Sequence, residues 1–213
     1  MLRVRPIHFT SALEDYATQL ESQGLRCVEN SGDWRVFDSG NGKVGVHVAE
    51  AGSAEDGTTA LGFEVRDHVI FIRRTLEDGT QAALEDSRHG STARVTAPDG
   101  FTFLADPVTD LSLPDPSSLP AVIALWRTPD TVAASTVMAN IGAKFVAERS
   151  DGGTLFRAKN GGFVLTAPGE VAGVELLITH DGALLASVPG TNPSAVLTRG
   201  CDGRGMHEVE LEI

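Results

Sequence analysis

An internal repeat constrains this 213-residue chain more than any other feature. Phe37, Asn41 and Gly42 recur as Phe156, Asn160 and Gly161 at a common offset of 119 residues, and Gly24 recurs as Gly142 one residue out of step. Turn and helix-stop signals that return in step mark one supersecondary unit used more than once. Residues 3–10 read as a strand. Ser11-Ala12-Leu13-Glu14 then forms a capping-box pattern, in which the Ser hydroxyl accepts from a free first-turn N–H and Glu14 reaches back. Leu13, Ala17 and Leu20 follow at helical spacing, and Gly24 stops the helix. Residues 25–29, 34–38 and 44–48 are strand-like, the last two joined across Ser39-Gly40-Asn41-Gly42-Lys43. Asn-Gly supplies the positive φ angles of a tight hairpin. The unit is therefore β-α-β-β-β in about 50 residues.

The same order returns three times. In residues 58–106, Asp67 caps a helix carrying Val69, Ile72 and Leu76, and Pro98-Asp99-Gly100 makes the last turn. In residues 119–168, Thr128 caps and Pro129 opens the helix, and Asn160-Gly161-Gly162 turns the final hairpin. The last unit, 169–213, is trimmed: 181–187 hold at most a stunted helix, and 195–199 pairs with 206–213. That final strand alternates Val209, Leu211 and Ile213 with three glutamates. Residues 107–120 carry four of the ten prolines, so a stiff, non-sheet linker separates two pairs of units. The division is a first domain at 1–108, a linker at 109–118 and a second domain at 119–213. Fold class is α+β.

Charge and cysteine usage bound the partners. Lys and Arg number 17 against 29 Asp and Glu, a formal charge of −12, which argues against a nucleic-acid or anionic-membrane partner. Cys27 and Cys201 make no disulfide framework, and no apolar run approaches the length of a membrane helix. No signal peptide is visible after Met1, so a cytoplasmic monomer or homodimer is expected.

Four β-α-β-β-β units in two pairs resemble the vicinal oxygen chelate superfamily, which includes glyoxalase I, extradiol dioxygenases and bleomycin-resistance proteins. The resemblance is carried by residues 11–24 with their hairpin, by Leu61-Gly62-Phe63-Glu64-Val65-Arg66-Asp67 leading to Gly79, and by Ala97-Pro98-Asp99-Gly100-Phe101. It implies two curled mixed sheets with helices outside. In metal-dependent members it implies ligands on the first and last strands of each unit. Counting from caps and turns puts the first-strand positions at Val4, Ala60 and near Val122, and the last-strand positions at His47, Leu104 and Thr166. One donor in four cannot hold a catalytic ion, so no metal site and no cofactor are expected in the first pair. His207 and Glu208 lie near the fourth unit's last-strand position and do not complete a set.

If those positions face the cleft, period-two alternation adds His8 and Glu64, and pairing across the turn sets Arg35 opposite His47. His8, Arg35, His47 and Glu64 then line one small-molecule pocket with Phe37 as its apolar wall. In the second pair, Trp126 and Phe156 form a wall that can stack a flat ligand. The alternative is an ordinary solvated strand face for the first set, and core packing for the two aromatics. The favoured expectation is a metal-independent protein that sequesters a small organic molecule, as in the bleomycin-resistance branch. A divalent-metal enzyme of glyoxalase or dioxygenase type is the second, and a degenerate interaction module the third.

Overall fold

The computed structural model describes residues 1–87, 90–108, 110–113, 120–180, 194–199 and 208–212. The N-terminal half runs β1 (Leu2–Val4), β2 (Ile7–Thr10), α1 (Leu13–Ser22), β3 (Arg26–Asn30), β4 (Trp34–Asp38), β5 (Lys43–Val48), β6 (Thr59–Ala60), β7 (Gly62–Val65), α2 (His68–Glu77), β8 (Gln81–Ser87), β9 (Gly90–Thr96) and β10 (Thr102–Pro107). The C-terminal half runs β11 (Ala121–Thr128), α3 (Thr131–Asn140), β12 (Lys144–Glu148), β13 (Thr154–Arg157), β14 (Phe163–Pro168), β15 (Gly173–Thr179), β16 (Ser194–Arg199) and β17 (Glu208–Glu212). In each of the first three units the last strand returns parallel beside the first, as Ile7↔Gly45, Leu104↔Gly62 and Ile123↔Phe163 show.

The units pair within the chain, first with second and third with fourth. In the C-terminal half β11 and β15 pair antiparallel, and seven strands form one sheet in the order β12-β13-β14-β11-β15-β16-β17. In the N-terminal half the corresponding ladder is nicked. Leu2↔Val65, Val4↔Phe63 and Ile7↔Ala60 keep a single register, but hydrogen bonding divides it into two five-stranded sheets at Pro6. Proline has no N–H to give the ladder, so its position sets the break. The Pro6 carbonyl still accepts from Gly45 N at 2.9 Å, and Arg5 N donates to Gly62 O at 2.9 Å. The fourth unit departs from the pattern, because β16 rather than its last strand lies next to β15. Residues 181–193, where a stunted helix was expected, lie outside the described residues.

Two expected helix starts are different in detail. Ser11 does not cap α1, because Asp56 takes both its N–H (2.7 Å) and its hydroxyl (2.9 Å). Asp130, not Thr128, caps α3 by accepting from Ala133 N at 2.9 Å, and Thr128 Oγ1 accepts from Asp130 N instead. Asp67 caps α2 as expected, accepting from Ile70 N.

The halves are joined by a crossed brace built from the two repeated turns. Asn41 O accepts from Val122 N at 3.0 Å, and Asn41 Oδ1 accepts from Gly162 N at 2.9 Å. In return Asn160 N donates to Leu2 O at 2.8 Å, and Gly161 O accepts from Val4 N at 3.0 Å. The approach leaves no room for side chains. A Cβ on Gly42 would lie 2.8 Å from Val122 Cβ, and one on Gly162 would lie 2.6 Å from Val4 Cβ. Both glycines also hold positive φ, +100° and +81°. One buried apolar cluster consequently runs through both halves, from Leu20, Phe37 and Phe63 to Trp126, Met138 and Ile178.

Gly162→Ala is expected to cost about 3 kcal/mol in urea denaturation of the full chain, from overpacking plus positive-φ strain. Gly79 has a similar φ of +93° with nothing within 4 Å. Gly79→Ala isolates the strain alone and is expected to cost about 1 kcal/mol. Equal losses would contradict the brace.

Candidate functional site

Facing along β4 and β5 decides which side chains can meet. The observed register sets Trp34 opposite His47 and Arg35 opposite Val46. The hairpin closes over four residues, 39–42, in which only the glycines hold positive φ. That moves the pairing one residue from the expected Arg35–His47, and a one-residue slip exchanges the two faces of a strand. Arg35 therefore points to α1, where it pairs with Glu14. Phe37 is buried in the shared core. His8 also lies on the helix side, stacked on Tyr16 of α1 with ring centroids 4.0 Å apart, its Nδ1 3.0 Å from Thr59 Oγ1. Burial pushes the His8 pKa down to about 4, against a smaller upward pull from Asp56, so the ring is neutral at physiological pH.

His47 and Glu64 lie on the opposite, helix-free face, so the expected quartet is split two and two. Trp126 and Phe156 are on the helix side of their sheet. Trp126 is fully buried with its ring 4.8 Å from Phe101, and Phe156 shares the core cluster with Val137 and Met138. Thr166 faces the same way, its Oγ1 3.2 Å from Ser135 Oγ of α3. The helix-free face of the C-terminal sheet is instead an apolar cluster of Ile123, Leu125, Leu155, Phe163, Leu165 and Leu177, each 5% exposed or less. The His207 position lies outside the described residues, as does the Glu208 side chain.

On the helix-free face of the N-terminal half a charge cluster forms that spacing arguments missed. Arg3 and Arg5 flank the inward-facing Val4, and Lys43 begins β5. These cations are 3%, 7% and 7% exposed, and the carboxylate they surround, Glu64, is 3% exposed. Arg3 Nη1 lies 2.8 Å from Glu64 Oε2, Arg5 Nη1 lies 3.7 Å from Oε1, and Lys43 Nζ lies 3.8 Å from Oε2. Asp106 pairs with Arg5 from β10, the strand beside the β7 that carries Glu64. Asp110, from the segment after β10, is the third acid, 3.0 Å from Arg3 and 2.9 Å from Lys43. Its carboxyl is held well below the usual carboxylate range, first by the Lys43 hydrogen bond and then by Ser112 N. Arg3 Nε donates to Asn160 O at 3.0 Å, so the brace and the cluster share a residue.

Beside the cations lies an aromatic shelf. The Arg5 guanidinium sits over the Trp34 ring at 5.4 Å, and its Nε is buried without a hydrogen-bond partner among the described residues. Trp34 and Phe9 flank His47 with ring centroids 6.2 and 5.9 Å away. A Cβ on Gly45 would collide with the edge of the Trp34 ring, so glycine there makes room for the indole against β5. A readable sequence signal did exist: Arg3-Val4-Arg5 alternates cation and aliphatic in a strand, which fits a charged face backed by an apolar one.

Solved structures share this architecture. Homoprotocatechuate 2,3-dioxygenase from Arthrobacter globiformis aligns with 99% of this chain and 78% of its own, at 14% identity and TM-score 0.58. A substrate complex of the Brevibacterium fuscum enzyme with 3,4-dihydroxyphenylacetate aligns with 78% and 59%, at 13% identity and TM-score 0.51. The Mn(II)-bound glyoxalase from Novosphingobium aromaticivorans aligns with 98% and 82%, at 15% identity and TM-score 0.55. No family model and no curated protein matches the chain. The fold is that of the vicinal oxygen chelate superfamily. Fold alone does not carry activity. The expectation of no cofactor is nevertheless overturned by these neighbours, among which a divalent metal is bound. The described residues do not fit one: no three His, Cys, Asp or Glu side chains among them group to hold an ion, and the carboxylates of the helix-free face are already surrounded by cations. No helix among them is long and apolar enough to cross a membrane.

Two measurements check this electrostatic picture. Glu64→Gln is expected to cost about 3 kcal/mol, because it strips three buried cations of a shared partner, whereas half-exposed Asp110→Asn is expected to cost less than about 1 kcal/mol. His8 titrates at about 4 when folded and near 6.5 when unfolded, so the unfolded chain takes the proton first as pH falls. The stability from neutral His8 is complete above pH 6.5 and lost between there and pH 4, up to about 3 kcal/mol. Denaturation midpoints of wild type and His8→Gln across that window should converge as pH falls.

Proposed function

We propose that this chain binds a small planar organic acid on the helix-free face of its N-terminal half. The observation that carries the reading is the position of Asp110. Glu64 and Asp106 belong to the sheet, but Asp110 reaches in from the segment between the halves, and its side chain is 45% exposed. When its carboxylate leaves, Arg3 and Lys43 present a pair of cations that a ligand acid group can bridge by charge-assisted hydrogen bonds. Trp34 and His47 then flank the plane of the ligand, and Arg5 closes the side over the indole. A protein of the same fold that takes 3,4-dihydroxyphenylacetate, an aromatic acid, supports this chemistry. Isothermal titration with 4-hydroxybenzoate and phenylacetate tests it. Binding should be saturable, at least tenfold weaker in Lys43→Met, and tighter in Asp110→Asn, which removes the charge of the internal competitor. Absence of saturable binding, or equal affinity in all three proteins, overturns it.

A second reading, a divalent-metal-dependent lyase or ring-cleaving oxidoreductase, is supported by the Mn(II)-bound glyoxalase and the dioxygenases among the fold neighbours. Elemental analysis of the purified protein separates the two. Stoichiometric metal with chelator-sensitive turnover supports the enzyme; protein that takes up no Mn, Fe, Ni or Zn removes it.

A further inference from the structure

A second concave feature lies on the far side of the molecule, where the halves meet. A groove of about 590 Å³ runs between α2 and the end of α3, its walls drawn from both halves. That volume is within the range of small-molecule sites. One wall is apolar: Ile70, which is 42% exposed, with Phe71 and Ile141. The rim is cationic. Arg66, Arg74 and Lys159 all border the groove, and none forms an ion pair among the described residues. Their convergence is felt by the Met1 amino group in the same groove, whose pKa is lowered by burial and then by Lys159, Arg66 and Arg74. Two acids also line the groove, fewer than the three cations: Asp67, whose side chain accepts from Ile70 N as the cap of α2, and Asp78, which closes that helix through its backbone N–H. In the groove lining, Thr75 is 1% exposed and its hydroxyl has no hydrogen-bond partner among the described residues. An unsatisfied buried hydroxyl is costly unless an acceptor reaches it.

A cluster of unpaired cations is conspicuous on a chain of net charge −12. Against an overall negative charge, local positive potential at the groove selects its occupant by charge. We infer that the α2–α3 groove is a binding site for an amphipathic organic anion. Its acidic group lies against Arg66, Arg74 and Lys159, and its apolar body against Ile70, Phe71 and Ile141. Because the walls come from both halves, the occupant bridges them and stiffens their junction. This site is separate from the helix-free face and does not depend on the acid-binding reading proposed for it.

Amide chemical-shift mapping on the ¹⁵N-labelled full chain, titrated with 1-naphthoate, tests the inference. Saturable shifts are expected at residues 66–78 and 139–142. Arg74→Glu with Lys159→Glu, both exposed positions, should weaken that binding at least tenfold while leaving the rest of the spectrum in place. The uncharged 1-naphthamide should bind at least tenfold more weakly than the acid. Three results would overturn the inference: no saturable shifts in the groove, shifts that survive the charge reversal, or equal binding of the amide. Shifts confined to residues 3–9, 34–47 and 64 would overturn it too, while supporting the acid site on the other face.

Discussion

The close approach of the two Asn-Gly turns to the opposing first strands is the contact on which the rest of the structure depends. Asn41 and Gly42 press on Val122, and Asn160 to Gly162 press on Leu2 and Val4. Backbone-to-backbone packing this tight is open only to glycine, so the repeated turn sequence is at once a hairpin closure and a docking surface. It ties the two halves into one core, and it orients the first strand. Because Val4 is drawn inward against Gly162, its neighbours Arg3 and Arg5 must face the other way. Arg3 is then fixed from behind by the Asn160 carbonyl, in place to meet Glu64. Docking and electrostatics are thus one device.

A buried cluster of this kind is weak as a source of net stability, because desolvation offsets much of the Coulomb gain. It is better suited to selecting a geometry. Four nearly buried charges on neighbouring strands admit few arrangements, and the half-exposed Asp110 completes their balance from outside the sheet. The C-terminal half shows the contrast: its equivalent face is closed by Ile123, Leu125, Phe163 and Leu165, without charge at its centre. One half keeps polar chemistry, and the other described face is packed dry.

The architecture was legible in the sequence because it is written in punctuation: Gly24 and Gly142 at helix ends, Asp67 at a cap, Asn-Gly in turns. The site was not, because it turns on parity. A four-residue turn in place of the three-residue one that Arg35 opposite His47 implies shifts β4 by one position, and every side chain on it changes face. Arg35 and Phe37 fell to the helix side for that reason, while Trp34 went to the other; His8 parts from His47 because β2 sets Phe9, not His8, beside it. Trp126 and Phe156 share a parity error on the second sheet, where Val122 is drawn inward against Gly42. Single residue types could not reveal this; the paired arginines around Val4 could. Capping at Ser11 failed differently, through a tertiary competitor 45 residues away, Asp56.

The most direct test of the account is a crystal structure of the protein grown with 4-hydroxybenzoate. The account places the carboxylate within hydrogen-bond distance of Arg3 and Lys43, the ring beside Trp34, and the Asp110 side chain withdrawn. A structure in which Asp110 still bridges Arg3 and Lys43 at saturating ligand, with the acid bound elsewhere or not at all, would contradict it.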